Sequence, residues 1–332
     1  LHCISVQKPT HHLHLTCVGY YLQNLTMKKL IFFLIFFCVS KNFIYAQGNE
    51  IDSLQKFIST AKDDTVKVNA ILELAKKYYG SDPQKSIRFA QLANDLSVKL
   101  KFLKGSASAL KSVGIGYYLQ GKSFETLEYW EKSLALFDSL NDQAGVANIL
   151  SNEGAVYFNQ GDDTKALDLY LQSLKVSEKL DDTLRIVTAL SNIGGVYSNK
   201  ELTWDKALEY YFKALPLMTS FSKQEEATTK DAIGTVCINI GEIYFRKDTA
   251  NLQKNRIKKS YTTAQIDSIA LSSDSLALLY FEMAMNYFED SEDLPAALNW
   301  IGRIYARRQE FGKAVKYQND AFEIAKKLET LL

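Results

Sequence analysis

Ser151-Asn152-Glu153-Gly154-Ala155-Val156-Tyr157 recurs as Ser191-Asn192-Ile193-Gly194-Gly195-Val196-Tyr197, and again as Ile238-Asn239-Ile240-Gly241-Glu242-Ile243-Tyr244. Looser copies are Val113-Gly114-Ile115-Gly116-Tyr117 and Ile301-Gly302-Arg303-Ile304-Tyr305. Gly114, Gly154 and Gly194 stand 40 residues apart. A fixed period in this range marks a chain built from stacked units, none of which buries its apolar face alone.

A second pattern follows each glycine. Ala166, Tyr170 and Ser173 follow Gly154, and Ala207, Tyr211 and Ala214 follow Gly194. After Gly302 come Ala314 and Ala321, with Gln318 at the aromatic place and Tyr317 one position early. The order apolar-Gly-x-x-Tyr, then Ala-x-x-x-aromatic-x-x-Ala, resembles the tetratricopeptide repeat family over roughly residues 64 to 330. The clean copies run 40 residues instead of the family's usual 34 and lack its first-helix tryptophan, which implies longer helices. The resemblance implies an all-α fold: a right-handed superhelical solenoid of antiparallel helix pairs.

The pattern has a physical reading of its own. Glycine inside a helix costs about 1 kcal/mol relative to alanine, so repeating it at one register implies a compensating gain. The gain on offer is close approach of a partner helix. Ala166 and Ala207 serve the same end from the other side, and Tyr157, Tyr170, Tyr197 and Tyr211 fill the gaps.

Composition bounds the function. Apolar residues make up 47% and charged residues 23% of the 332, as in an ordinary globular chain. Net charge is +1. Beyond residue 47 there are 35 basic and 38 acidic residues, which argues against a dominant nucleic-acid surface.

Met27, Lys28-Lys29 and the ten-residue apolar run Leu30–Val39, with Ala46 before Gln47, read as a secretory signal peptide over 27–46. The run is too short for a bilayer span, which takes about 20 residues. The expected product is exported, periplasmic or extracellular. Residues 1–26, with His11, His12 and His14, then read as an upstream leader. Past residue 46 only Cys237 remains and no histidine, which leaves no disulfide partner, no Ser-His or Cys-His pair and no histidine metal site. No catalytic residue, metal ligand or cofactor is expected. Asp162-Asp163 and Asp181-Asp182 fall at helix turns, where capping accounts for them.

Along the expected mature chain, 47–63 reads as a lead-in helix and 64–332 as about six helix pairs. The fifth pair is interrupted. Tyr244 to Ala277 spans 33 residues where Tyr157 to Ala166 spans 9, which predicts a loop insertion at about 246–274, rich in Arg and Lys. Gly116-x-x-x-x-Gly121-Lys122-Ser123 matches a phosphate-loop pattern, but it lies in helical register with no preceding strand and reads as a helix–turn–helix.

In the family the resemblance points to, the first helix of each pair lines a concave surface. Asn152, Asn192 and Asn239 fall there at one register, and an asparagine ladder of this kind holds an extended peptide by paired amide donors and acceptors. Tyr79, Tyr118, Phe158 and Phe245, each beside the repeat tyrosine, are expected to add flat apolar contacts. The resulting expectation is a non-catalytic scaffold with a protein or peptide partner in the groove. Asp64-Thr65-Val66-Lys67-Val68 also resembles the start of extracytoplasmic arrays in bacterial cyclases, histidine kinases and transcriptional regulators. The alternative is therefore the sensory part of a truncated signalling protein.

Overall fold

The computed structural model describes residues 50–221, 227–258, 263–288 and 291–329. The expected leader and signal peptide lie outside the described residues. Residues 50–60 form a helix, α1. It belongs to a unit ending at Ala61, separate from the unit that begins at Lys62.

The second unit is a succession of antiparallel helices, and its described residues contain no strand. They are α2 (Thr65–Lys77), α3 (Pro83–Lys99), α4 (Leu103–Leu119), α5 (Ser123–Ser139), α6 (Gln143–Asn159), α7 (Asp163–Lys179), α8 (Thr183–Ser198), α9 (Trp204–Phe221), α10 (Ala227–Lys258), α11 (Thr263–Tyr287), α12 (Leu294–Arg307) and α13 (Phe311–Glu329). Each packs on its neighbours in order, as in a solenoid. Helices α4 to α7 are each 17 residues long, joined by three-residue turns. Two such helices and two turns make the 40-residue period.

The turns explain themselves locally. Asp82, Asp142, Asp162 and Asp182 cap the helices that follow, each accepting from the backbone N–H three residues on at 2.9–3.1 Å. That satisfies donors the first turn leaves open. Asn141 and Asp181 take positive φ at matching places, as do Gly121 and Gly161. Asn, Asp and Gly tolerate that left-handed closure best. Asp142 N–H then donates to the Phe137 carbonyl at 2.9 Å and Asn141 N–H to Asp138, which seals the end of α5.

The glycine register does what close approach requires. A Cβ on Gly154 would stand 2.7 Å from the Tyr170 ring, and one on Gly194 2.7 Å from Tyr211. Gly114 meets Trp130 in the same way, and Gly241 meets Phe281. At Gly302 the neighbour is the flexible Gln318 amide, 2.8 Å away. Those four rings are at most 3% exposed.

One expectation is corrected. The insertion placed at 246–274 as a loop is helical over all its described backbone, because α10 runs on to Lys258 and α11 starts at Thr263. The added residues lengthen both partners of the pair. At the far end Arg307, the last residue of α12, and Arg308, which caps it, pair with Asp274 of α11, whose side chain is 6% exposed, and Arg307 also donates to the Phe245 carbonyl at 3.1 Å. Buried carboxylates persist where they are paired in this way.

Candidate functional site

First helices of successive pairs meet one another along one face. The Arg185 guanidinium of α8 donates to the Asn148 amide oxygen of α6 at 3.2 Å, and Asn192 Nδ2 donates to Ser151 Oγ at 3.2 Å. Asn159 Nδ2 of α6 donates to the Tyr118 hydroxyl of α4 at 2.7 Å. The Tyr79 side chain, beyond α2, lies beside Ser112 of α4. Polar links thus join α4, α6 and α8, and α10 packs on α8 along the same face.

A cleft of about 470 Å³ opens on this face between α6, α8 and α10. Its apolar wall includes Phe158, Leu184, Val187, Met218 and Val236, and its polar rim includes Thr188, Ser191, Asn192, Thr235 and Asn239. No lining residue carries a charge. The Ser191 hydroxyl is buried and makes no hydrogen bond among the described residues. The Tyr211 hydroxyl lies beside Asn239 and Ser198 without a hydrogen bond of normal geometry, and burial pushes its pKa up to about 12.

The expected contact residues separate into groups. Asn192, Asn239 and Phe158 come together in the cleft. Asn152 is part-buried on α6 and is not among the residues lining the cleft. Tyr118 is tilted against Trp130 with ring centres 6.0 Å apart, and burial raises the pKa of Tyr79. Phe245 is committed elsewhere: Trp300 meets it edge-on at 5.4 Å, and the Arg307 guanidinium covers its ring at 3.7 Å. Gly121 turns the phosphate-loop look-alike between α4 and α5, and Lys122 lies 5.6 Å over the Tyr117 ring.

Sequence reasoning missed three features. Gly195 leaves an opening in the cleft, since a Cβ there would meet only the Tyr211 hydroxyl at 3.9 Å. Lys111 of α4 is largely desolvated near Lys76 and Arg185; burial chiefly, then those two cations, lower its pKa, while Asp142 opposes them. The repeat tyrosines stack on aromatics of the second helix, as Tyr117 does on Tyr129 and Tyr197 on Tyr210, at 5.4 and 5.6 Å. Only the last had a sequence signal, an aromatic one place before the packing aromatic.

Among the described residues no group of three His, Cys, Asp or Glu is placed to hold a metal ion, and no helix is long and apolar enough to cross a membrane.

A tetratricopeptide repeat family model matches residues 105–179, which span α4 to α7. A search of curated proteins gives no match. Among solved structures, the chain is similar to BtubC from P. vanneervenii at 15% identity and a TM-score of 0.57, covering 75% of this chain and 93% of that one. It is similar to a Rap protein complexed with competence and sporulation factor at 15% identity and a TM-score of 0.53, covering 88% and 72%. NprR in complex with its cognate peptide NprX is similar at 14% identity and a TM-score of 0.50, covering 94% and 78%. At these identities the likeness is one of fold.

Proposed function

We propose that this chain, a tetratricopeptide repeat protein, is a non-catalytic scaffold that holds an extended segment of a protein partner along the face formed by α4, α6, α8 and α10. The observation that carries the reading is the cleft itself, where Asn192 and Asn239 stand at the rim of an uncharged apolar hollow. A peptide backbone offers alternating donors and acceptors, and asparagine amides answer both. Of the similar solved folds, NprR is in complex with its cognate peptide and the Rap protein is complexed with competence and sporulation factor, which supports the same reading. Asn152, Tyr79, Tyr118 and Phe158 extend the surface toward α2, whereas Phe245 is spent on packing. Export of the protein rests on the Met27–Ala46 pattern alone.

The sensory alternative rested on the Asp64 to Val68 stretch. Asp64 caps α2 by accepting from Lys67 N–H at 3.0 Å, and Lys67 pairs with Asp63 at 3.0 Å. Helix initiation explains those residues, so the scaffold reading is preferred.

The test is a pull-down of partners from the native extract by the full chain and by a variant with Asn152, Asn192 and Asn239 all changed to alanine. Loss of at least one partner that the wild type retains supports the reading. Retention of every partner at full affinity counts against it.

A further inference from the structure

We infer that the cleft between α6, α8 and α10 is an anchor pocket for one aromatic or long aliphatic side chain of the bound segment, that Gly195 keeps it open, and that an acidic residue of the same segment meets Lys111. This rests on the peptide-scaffold reading and specifies the peptide.

The two neighbouring glycines of α8 have opposite roles. Gly194 is closed over by the Tyr211 ring and serves packing. Gly195 faces the cleft, and at its register the other copies place Ile115, Ala155, Glu242 and Arg303. In the described array this register is empty of a side chain only at Gly195, and there the cleft opens. Its lining carries no charge, so a charged side chain entering it would be stripped of water without compensation. Met218, 3% exposed on one wall, suits guests of differing shape. The buried, unbonded Ser191 hydroxyl offers a hydrogen bond to the guest's backbone.

Charge gives the segment a second feature. Lys111 occupies the register of Ser151 and Ser191 on the same face. It is part-buried and forms no ion pair among the described residues; Lys76 and Arg185 act on it as like charges, and Asp142, which is paired with Lys104, only partly offsets them. Arg185 is already held by Asp182 and Asn148. A carboxylate from the guest would complete Lys111. Helix α4 lies two helix spacings from α8, roughly 16–20 Å at the usual interaxial distance. An extended chain rises about 3.3 Å per residue, so the acid should sit about five or six residues from the anchor.

The probe is a library of acetylated, amidated dodecapeptides randomised at every position, selected on the immobilised full chain. Binders are then measured by fluorescence anisotropy. The expected consensus is Phe, Leu, Met or Trp with Asp or Glu about five or six positions away. Replacing the anchor by serine should weaken binding about ten- to a hundred-fold, the scale of one buried apolar side chain. Gly195→Leu should abolish the anchor preference while its melting temperature stays at or above wild type, since leucine is the better helix former. Lys111→Met should remove the preference for the acid and keep that for the anchor. Binders without an anchor consensus, or an anchor preference that survives in Gly195→Leu, would overturn the inference and leave the scaffold reading standing. A wild-type chain that retains no peptide would sink both. An acid preference unchanged in Lys111→Met would overturn the assignment of Lys111.

Discussion

Glu153 is the one carboxyl at a register that elsewhere holds Leu74, Val113, Ile193, Ile240 and Ile301, all at most 1% exposed. Burial, reinforced by Glu131 and opposed by Lys165, raises its pKa from 4.5 to about 7. Glu131 lies on α5, before α6, and Lys165 on α7, after it, so the carboxyl sits where α6 joins its neighbours. The folded chain holds this proton more tightly than the unfolded chain. Below about pH 4.5 both states are protonated and the site costs nothing. As pH rises from there to about 7, stability is lost, and the full cost persists above. The uncorrected figure is roughly 3.4 kcal/mol. Glu153 is only part-buried, so screening by water reduces this to about 1–2 kcal/mol. Urea unfolding of wild type and Glu153→Gln, followed by circular dichroism at about pH 5 and about pH 8, reads the difference. Carboxylates distant from the site cancel between the two proteins. Wild type should lose roughly three quarters of that cost, about 1 kcal/mol, more than the variant over that interval. Parallel pH profiles would refute the burial argument.

Two further outcomes follow from packing. Gly194→Leu must displace the buried Tyr211 ring, and a loss of about 1–3 kcal/mol in denaturant unfolding is expected; unchanged stability would show that α8 and α9 do not approach so closely. Cys237 is fully buried, and burial pushes its thiol up to about 12. It should resist a disulfide reagent in the native chain and react once unfolded, and prompt native labelling would contradict its placement on the inner side of α10.

Much of this architecture is legible in the sequence because close packing demands small residues at fixed places. Gly154 and Tyr170, 16 residues apart, announce a helix, a short turn and a returning helix. Ala277, Phe281 and Ala284 announce the partner of Gly241 across the insertion, and the structure joins Gly241 to Phe281. The insertion's secondary structure was not legible, because charged residues without glycine or proline serve a solvated helix as well as a loop. The cleft was hidden for a different reason. Gly195 looks like its neighbour Gly194, and only three-dimensional context distinguishes a glycine that admits a ring from one that leaves a hollow. Phe245 carried the same signal as Phe158, and its engagement by Arg307 and Trp300 depends on the last pair, which no local pattern reveals.

The stacking of one pair on the next supports everything proposed for the groove. Selective labelling of glycine and aromatic residues, with nuclear Overhauser contacts measured between Gly Hα and ring protons, tests it directly. The account predicts contacts from Gly114 to Trp130, Gly154 to Tyr170, Gly194 to Tyr211 and, across the lengthened helices, Gly241 to Phe281. A folded chain in which these glycines show no ring contact would contradict it.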